Sequence, residues 1–378
     1  MVEKPADSKR GWAGRVAFSG GHDGFAFRPG EVLVAGERAL DVVGRRYPLT
    51  FGDPEPLLRD EDETGPVFFR LRGDVDPLDV AEELRTEGVI AQPNHVLFAH
   101  GDCGCCPPHP AARCGPQLAG SPVYASPVYA SPVYASPVYA SPVYASPVYA
   151  SELQATGRRK SSAKPAPEPT QPRPAYGTVR TPRVAILDTG IAGSAQGGLT
   201  PDLLASVTAS PSTWEQPDED GDTYLDPAAG HGTFIAGLIE QLAPGCDLTV
   251  ELVLTTYGDG DEFAIAQCIT TLDPSIDLLN LSFGGYAMEE MFALATAIRR
   301  VRANGTVVVA SAGNDASCRP AFPAAFRGVI GVAALGPHGP APFTNYGPWV
   351  RACAPGVDLV SSFFRSFEGP DTGAPDPD

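Results

Sequence analysis

Val184-Ala185-Ile186-Leu187-Asp188-Thr189-Gly190 is the stretch that decides how this chain is read. Four apolar residues make a short buried strand, and a carboxylate followed by Thr-Gly stands at its end. Two further strings follow in order, Gly230-His231-Gly232-Thr233 and Ser311-Ala312-Gly313-Asn314. Each puts a polar group at the edge of a buried apolar element. Together they offer a carboxylate, an imidazole and an amide donor, three of the four parts of an Asp–His–Ser relay. The fourth part, a serine in a Gly-Thr-Ser setting, occurs nowhere in the 378 residues.

Around these strings the pattern alternates. Val184–Leu187, Leu248–Leu254, Asp277–Ser282, Thr306–Ala310 and Val329–Leu335 read as strands. Thr233–Leu242 and Glu262–Leu272 have helical spacing, and Met288, Met291, Phe292, Ala295, Ile298 and Val301 mark one face of a longer helix. Strand and helix in alternation predict an α/β fold, a parallel sheet with helices on both faces. Such sheets place their chemistry at the carboxyl ends of the strands. Asp188, held there by backbone donors, stays ionised and orients an imidazole. His231 sits between two glycines at a helix start, where an imidazolium is disfavoured and the ring remains a base. Asn314 follows a strand and can donate to a developing oxyanion. Asn280-Leu281-Ser282-Phe283-Gly284-Gly285 ends another strand, and its glycines leave main-chain edges bare for an extended peptide.

On these residues the chain resembles the subtilisin-like serine peptidases, from about Arg183 to about Ser362. The resemblance implies that Asp188 is the orienting acid, His231 the general base and Asn314 the oxyanion donor. It implies that Ser282, Phe283, Gly284 and Gly285 line the cleft for a polypeptide substrate. It also implies that the segment before the linker is a propeptide-like α+β unit ending in an extended Pro93-Asn94-His95-Val96 tail near the cleft. The departure lies in the nucleophile. The family's serine follows Gly-Thr at a helix start, whereas Ser361, Ser362 and Ser366 neither follow Gly-Thr nor open an apolar helix. Two readings stay open: a serine endopeptidase truncated before its serine and inactive as written, or a non-catalytic peptide-binding relative. A second Asp-Thr-Gly, Asp371-Thr372-Gly373, lies in Pro-rich sequence with no strand before it, which argues against a two-lobed aspartic peptidase.

The remaining sequence divides accordingly. Residues 1–26 read as a disordered polar tail and 27–101 as the propeptide-like unit. Within that unit, Glu31–Val34, Pro66–Leu71 and His95–Phe98 read as strands. Asp76 and Pro77 start a helix that Gly88 ends. Residues 102–180 form a linker containing Cys103, Cys105, Cys106 and Cys114, which match no zinc template. Six copies of Ser-Pro-Val-Tyr-Ala at 121–150 are too rich in proline for helix or sheet. As extended coil they span at most roughly 90 Å at ~3.1 Å per residue. Residues 181–378 make the peptidase-like domain.

A net charge of −18 disfavours nucleic acid as a partner. No apolar run is long enough to span a membrane. No secretory leader stands at the start, so the compartment defaults to cytoplasmic although the family is often secreted. No cofactor is required. Asp218, Asp220, Asp222 and Asp226 form an acidic loop whose oxygens suit calcium, although its spacing is not that of an EF-hand, and a solvated loop is the competing reading. Cys318 and Cys353 flank the last strands as a candidate pair.

Overall fold

The computed structural model describes residues 14–20, 24–36, 38–47, 53–58, 65–99, 180–193, 203, 206–208, 211–221, 225–287 and 289–364. The cysteine-rich linker, the repeats, Asp222, Met288, Ser366 and Asp371 lie outside them.

The first unit contains β1 (Ala17–Phe18), β2 (Ala26–Ala35), α1 (Ala39–Arg46), β3 (Glu55–Pro56), β4 (Val67–Arg70), α2 (Pro77–Thr86) and β5 (Ile90–Ala99). Asp76 caps α2 by accepting from Leu78 N at 2.9 Å, with Pro77 in its first turn. Gly88, at φ 82°, turns the chain out of the helix into β5. The strands pair antiparallel, and Val32, Val34 and Phe69 bury one face against Val42, Val43, Val80 and Leu84 of the two helices. Elements β1, α1 and β3 went unread in the sequence. In α1, Gly44 and a Val-Val pair weaken helix propensity, and burial of Ala39, Val42 and Val43 overrides it. The 1–26 segment read as a polar tail also contributes structure, because β1 pairs with β2 and Val16, Phe25 and Ala26 are buried.

The second unit contains β6 (Arg183–Asp188), β7 (Val207–Thr208), α3 (His231–Leu242), β8 (Asp247–Leu252), β9 (Asp259–Asp261), α4 (Glu262–Thr271), β10 (Leu278–Leu281), β11 (Phe283–Gly284), α5 (Phe292–Ala303), β12 (Val307–Ser311), β13 (Ile330–Gly336), β14 (Gly339–Pro340) and β15 (Val350–Pro355). Its sheet runs β14-β13-β12-β10-β6-β8-β7, with β15 also on β13. Every pair in it is parallel except β13 with β14. Side chains alternate along β6. Val184 and Ile186 pack with Ile235 and Ala236 of α3, while Ala185 and Leu187 pack with Ile265 of α4 and Leu294 of α5. Helices therefore cover both faces, as the sequence pattern predicts.

The two units share a sheet. Strand β5 lies between β9 and β11, pairing antiparallel with each. Their cores merge as well, since Phe27, Leu33, Phe68 and Leu97 join Phe263, Ile265, Phe283 and Met291 in one cluster. The Phe68 and Phe263 rings stack with centroids 4.8 Å apart.

Candidate active site

Parity along β6 decides where the carboxylate goes. Asp188 shares the face of Val184 and Ile186, so it points toward α3, and His231 is the first residue of that helix. His231 Nδ1 lies 2.6 Å from Asp188 Oδ1, with both side chains fully buried. The same oxygen accepts the Thr189 N–H at 2.8 Å. A carboxylate so held fixes the imidazole with its proton on Nδ1, which leaves Nε2 as the basic nitrogen. Among the described residues neither Nε2 nor Asp188 Oδ2 has a hydrogen-bond partner, and both are buried.

Two glycines make this approach possible. A Cβ on Gly232 would stand 2.1 Å from Gly190 O and 3.2 Å from Asp188 Cβ, so only glycine lets the helix start meet the strand end. Gly230 has φ 85°, and a Cβ there would strike the Phe363 ring. The junction is laced further by Gly232 N donating to Thr189 Oγ1 and Ala192 N donating to Thr233 Oγ1.

Asn314 follows β12 in a loop that Asn345 pins. Asn345 Oδ1 accepts from Asp315 N and Ser317 N, and its Nδ2 donates to Tyr286 Oη at 3.0 Å. Gly313, at φ 105°, would clash with Asn345 if it carried a Cβ.

Of Ser282 to Gly285, expected to line the cleft, Phe283 and Gly284 form strand β11, which pairs with β5 of the same chain. Phe283 pairs with Ala99 and Gly284 with Phe98. A Cβ on Gly285 would lie 2.8 Å from Val96 O, so its glycine admits the strand. On the other side Val96, Leu97 and Phe98 pair with Asp261, Gly260 and Asp259.

The sequence reading missed the acids that hold this strand. Buried Glu262 accepts from His95 Nδ1 at 2.8 Å and from Gln92 Nε2 at 2.7 Å, while its other oxygen caps the start of α5 through Ala293 N. Asn94 donates to Asp261 and accepts from Phe263 N. Buried Asp259 receives Arg28 at 2.7 Å and Arg15 at 3.4 Å. Their only sequence signal is an acidic run, Asp259-Gly260-Asp261-Glu262, opposite a strand carrying Gln, Asn and His.

Ser361, near the end of the described residues, is turned to other use. Its hydroxyl donates to Phe234 O at 2.6 Å, against the side of α3. Asp218, Asp220 and Asp226 do converge, their oxygens within 4.8 Å of one another. Burial pushes the Asp226 carboxyl up to about 6, partly offset by the Thr256 hydroxyl. Cys318 and Cys353, the candidate pair, are free thiols.

A buried, hydrogen-bonded Asp–His pair thus stands at the carboxyl end of a parallel sheet, where such folds place their chemistry. Residues 180–370 match the subtilase family, and the chain belongs to that family. It is 33% identical over 192 residues to a thermostable alkaline protease of Halalkalibacterium halodurans, an alignment covering 48% of this chain and 49% of that protein. It is 32% identical to subtilisin DY of Bacillus licheniformis, over 51% of this chain and 72% of that one. The chain thus spans about half the length of the first relative. Among solved structures, fervidolysin of Fervidobacterium pennivorans superposes with a TM-score of 0.49 at 19% identity, covering 87% of this chain and 47% of that one. No helix among the described residues is long and apolar enough to cross a membrane.

Proposed function

We propose that this chain carries the acid–base and peptide-binding parts of a subtilisin-like serine endopeptidase, with its N-terminal unit seated in its own substrate cleft. The hydrogen bond between Asp188 and His231 carries the reading. In peptide-bond hydrolysis, His231 Nε2 takes the proton of an attacking hydroxyl and then delivers it to the leaving amine. Asp188 stabilises the imidazolium between those steps, and Asn314 donates to the tetrahedral oxyanion. A substrate takes the place of β5, its backbone bonded to β9 and β11.

Within these 378 residues no serine follows Gly-Thr, and Ser361 is spent on a helix carbonyl. By themselves, then, these residues bind peptide without acyl transfer. A fluorophosphonate probe leaves them unlabelled, and labelling overturns that statement. The second reading, a pseudopeptidase that binds peptides or a protein partner, rests on the strand already seated on Phe283 and Gly284. Sequencing the gene beyond codon 378 separates the two. Gly-Thr-Ser-x-Ala in any frame supports the peptidase, and its absence supports the binding protein.

Residues 27–101 are the propeptide-like unit in this reading, and residues 102–180 the tether. Asp218, Asp220 and Asp226 offer oxygen ligands only, a donor set that suits calcium, with Asp222 adjacent in sequence. Calcium held there would brace the loop before His231. The test is thermal unfolding, with a midpoint that rises with calcium in the wild type and stays put in Asp218→Asn/Asp226→Asn.

A further inference from the structure

We propose that Glu215 is a positioning residue for the acid–base pair, its buried carboxyl locking the strand end at Asp188–Thr189 to the helix start at Gly230–His231. The proposal rests on the reading of Asp188 and His231 as that pair. No motif marks this glutamate, since in sequence it only opens the acidic run that continues to Asp226. In the fold it is 1% exposed and sits directly behind the relay.

Its backbone is stitched to the residues just after Asp188. Glu215 N donates to Ile191 O at 2.9 Å, Ile191 N donates to Thr213 O at 3.0 Å, and Ile191 bridges Trp214. Gly190 allows this, because a Cβ there would meet Thr213 O at 2.6 Å. The side chain then reaches across. Glu215 Oε1 accepts the N–H of Gly230, the residue capping α3, at 2.8 Å. Glu215 Oε2 is buried with no hydrogen-bond partner among the described residues, and the Thr189 hydroxyl near the carboxyl accepts from Gly232 N at 3.1 Å. Glu215 thus holds the strand end through its backbone and the residue before the base through its carboxyl.

Its protonation suits this task. Burial pushes the Glu215 carboxyl up to about 8, and the Asp188 and Asp226 charges raise it further against the opposing pull of the Thr189 hydroxyl and the Gly230 N–H. At neutral pH the Glu215 side chain is therefore mainly uncharged. A glutamine reproduces that neutral shape and keeps the acceptor for Gly230 N, whereas an alanine removes both. A role confined to stability would weaken the whole fold without singling out His231.

Proton NMR of the full chain with nitrogen-15-labelled histidine reads the Nδ1–H groups of His231 and His95, which among the described residues face buried carboxylates. The His95–Glu262 bond lies at the interface between the units and reports whether the fold is intact. In Glu215→Ala the His231 signal is lost, or its exchange with water quickens about tenfold, equivalent to roughly 1.4 kcal/mol for one buried hydrogen bond. The His95 signal stays in place, and Glu215→Gln restores the His231 signal. An unchanged His231 signal in Glu215→Ala overturns the proposal, as does equal loss of both signals with no rescue by Gln. Absence of a His231 Nδ1–H signal in the wild type overturns instead the relay reading beneath it.

Discussion

Replacing Arg28 by alanine tests how the N-terminal unit is held in the cleft. Arg28 donates to Asp259 at 2.7 Å, and its side chain is 15% exposed while that of Asp259 is 0% exposed. Removing one partner of such a pair leaves a buried charge and costs about 3–5 kcal/mol when nothing else compensates. Two groups do compensate here. Arg15 remains 3.4 Å away, half in solvent, and the Thr255 hydroxyl still donates to Asp259. We therefore expect a loss of about 2 kcal/mol, or an opening constant raised about thirtyfold. Native-state amide exchange is the assay. Protection falls at Val96–Ala99 and at Gly258–Asp261 and holds along β6, β10 and β12, where the parallel ladder is remote from the pair. Asp259→Asn added to Arg28→Ala recovers much of the protection, because the buried charge is then gone. A change below about 0.5 kcal/mol would refute the reasoning, since that is the worth of an exposed pair. A uniform loss across both sheets would refute the local assignment.

Gly232→Ala drives a methyl into Gly190 O and separates Asp188 from His231, at a cost of at least about 1–3 kcal/mol; urea unfolding and loss of the His231 Nδ1–H signal report it. Gly285→Ala places a Cβ 2.8 Å from Val96 O, so exchange at Leu97–Ala99 quickens while β6 stays protected. Glu215 gives a pH dependence of defined sign. Its folded pKa of about 8 lies above the ordinary 4.5, so the stability it contributes is complete below 4.5 and is lost as pH rises through about 8. At about 1.4 kcal/mol per pH unit of that window the loss is on the order of 5 kcal/mol. Urea unfolding should show Glu215→Gln gaining on the wild type between about pH 5 and pH 8, and parallel curves would contradict the assignment.

The settings of Asp188, His231 and Asn314 are legible in the sequence because each is local. Asp188 ends an apolar strand, His231 opens a helix between glycines, and Asn314 follows a strand, so one short window shows each residue with its backbone setting. The cap of α2 at Asp76-Pro77 is legible for the same reason. What stayed hidden depends on contacts between distant segments. Asp259 and Glu262 look like solvated acids in a turn, and only Arg28, Gln92 and His95 from the other unit make them buried anchors. Strand β9 is Asp-Gly-Asp, a sequence of poor strand propensity that pairs because β5 is laid beside it. Glu215 is likewise unremarkable until the fold places it behind Asp188.

In the proposed function the last strand of the N-terminal unit lies in the peptide cleft of the subtilase domain. A double variant, Ala99→Cys with Phe283→Cys, tests it, because these residues are directly paired and cross-strand Cβ atoms stand about 4.5–5.5 Å apart. Mild oxidation of the folded chain, followed by peptide mapping in the mass spectrometer, should find this one new link within each molecule and leave Cys246 unmodified. Absence of the link in folded protein, or its appearance only between molecules, would contradict the account.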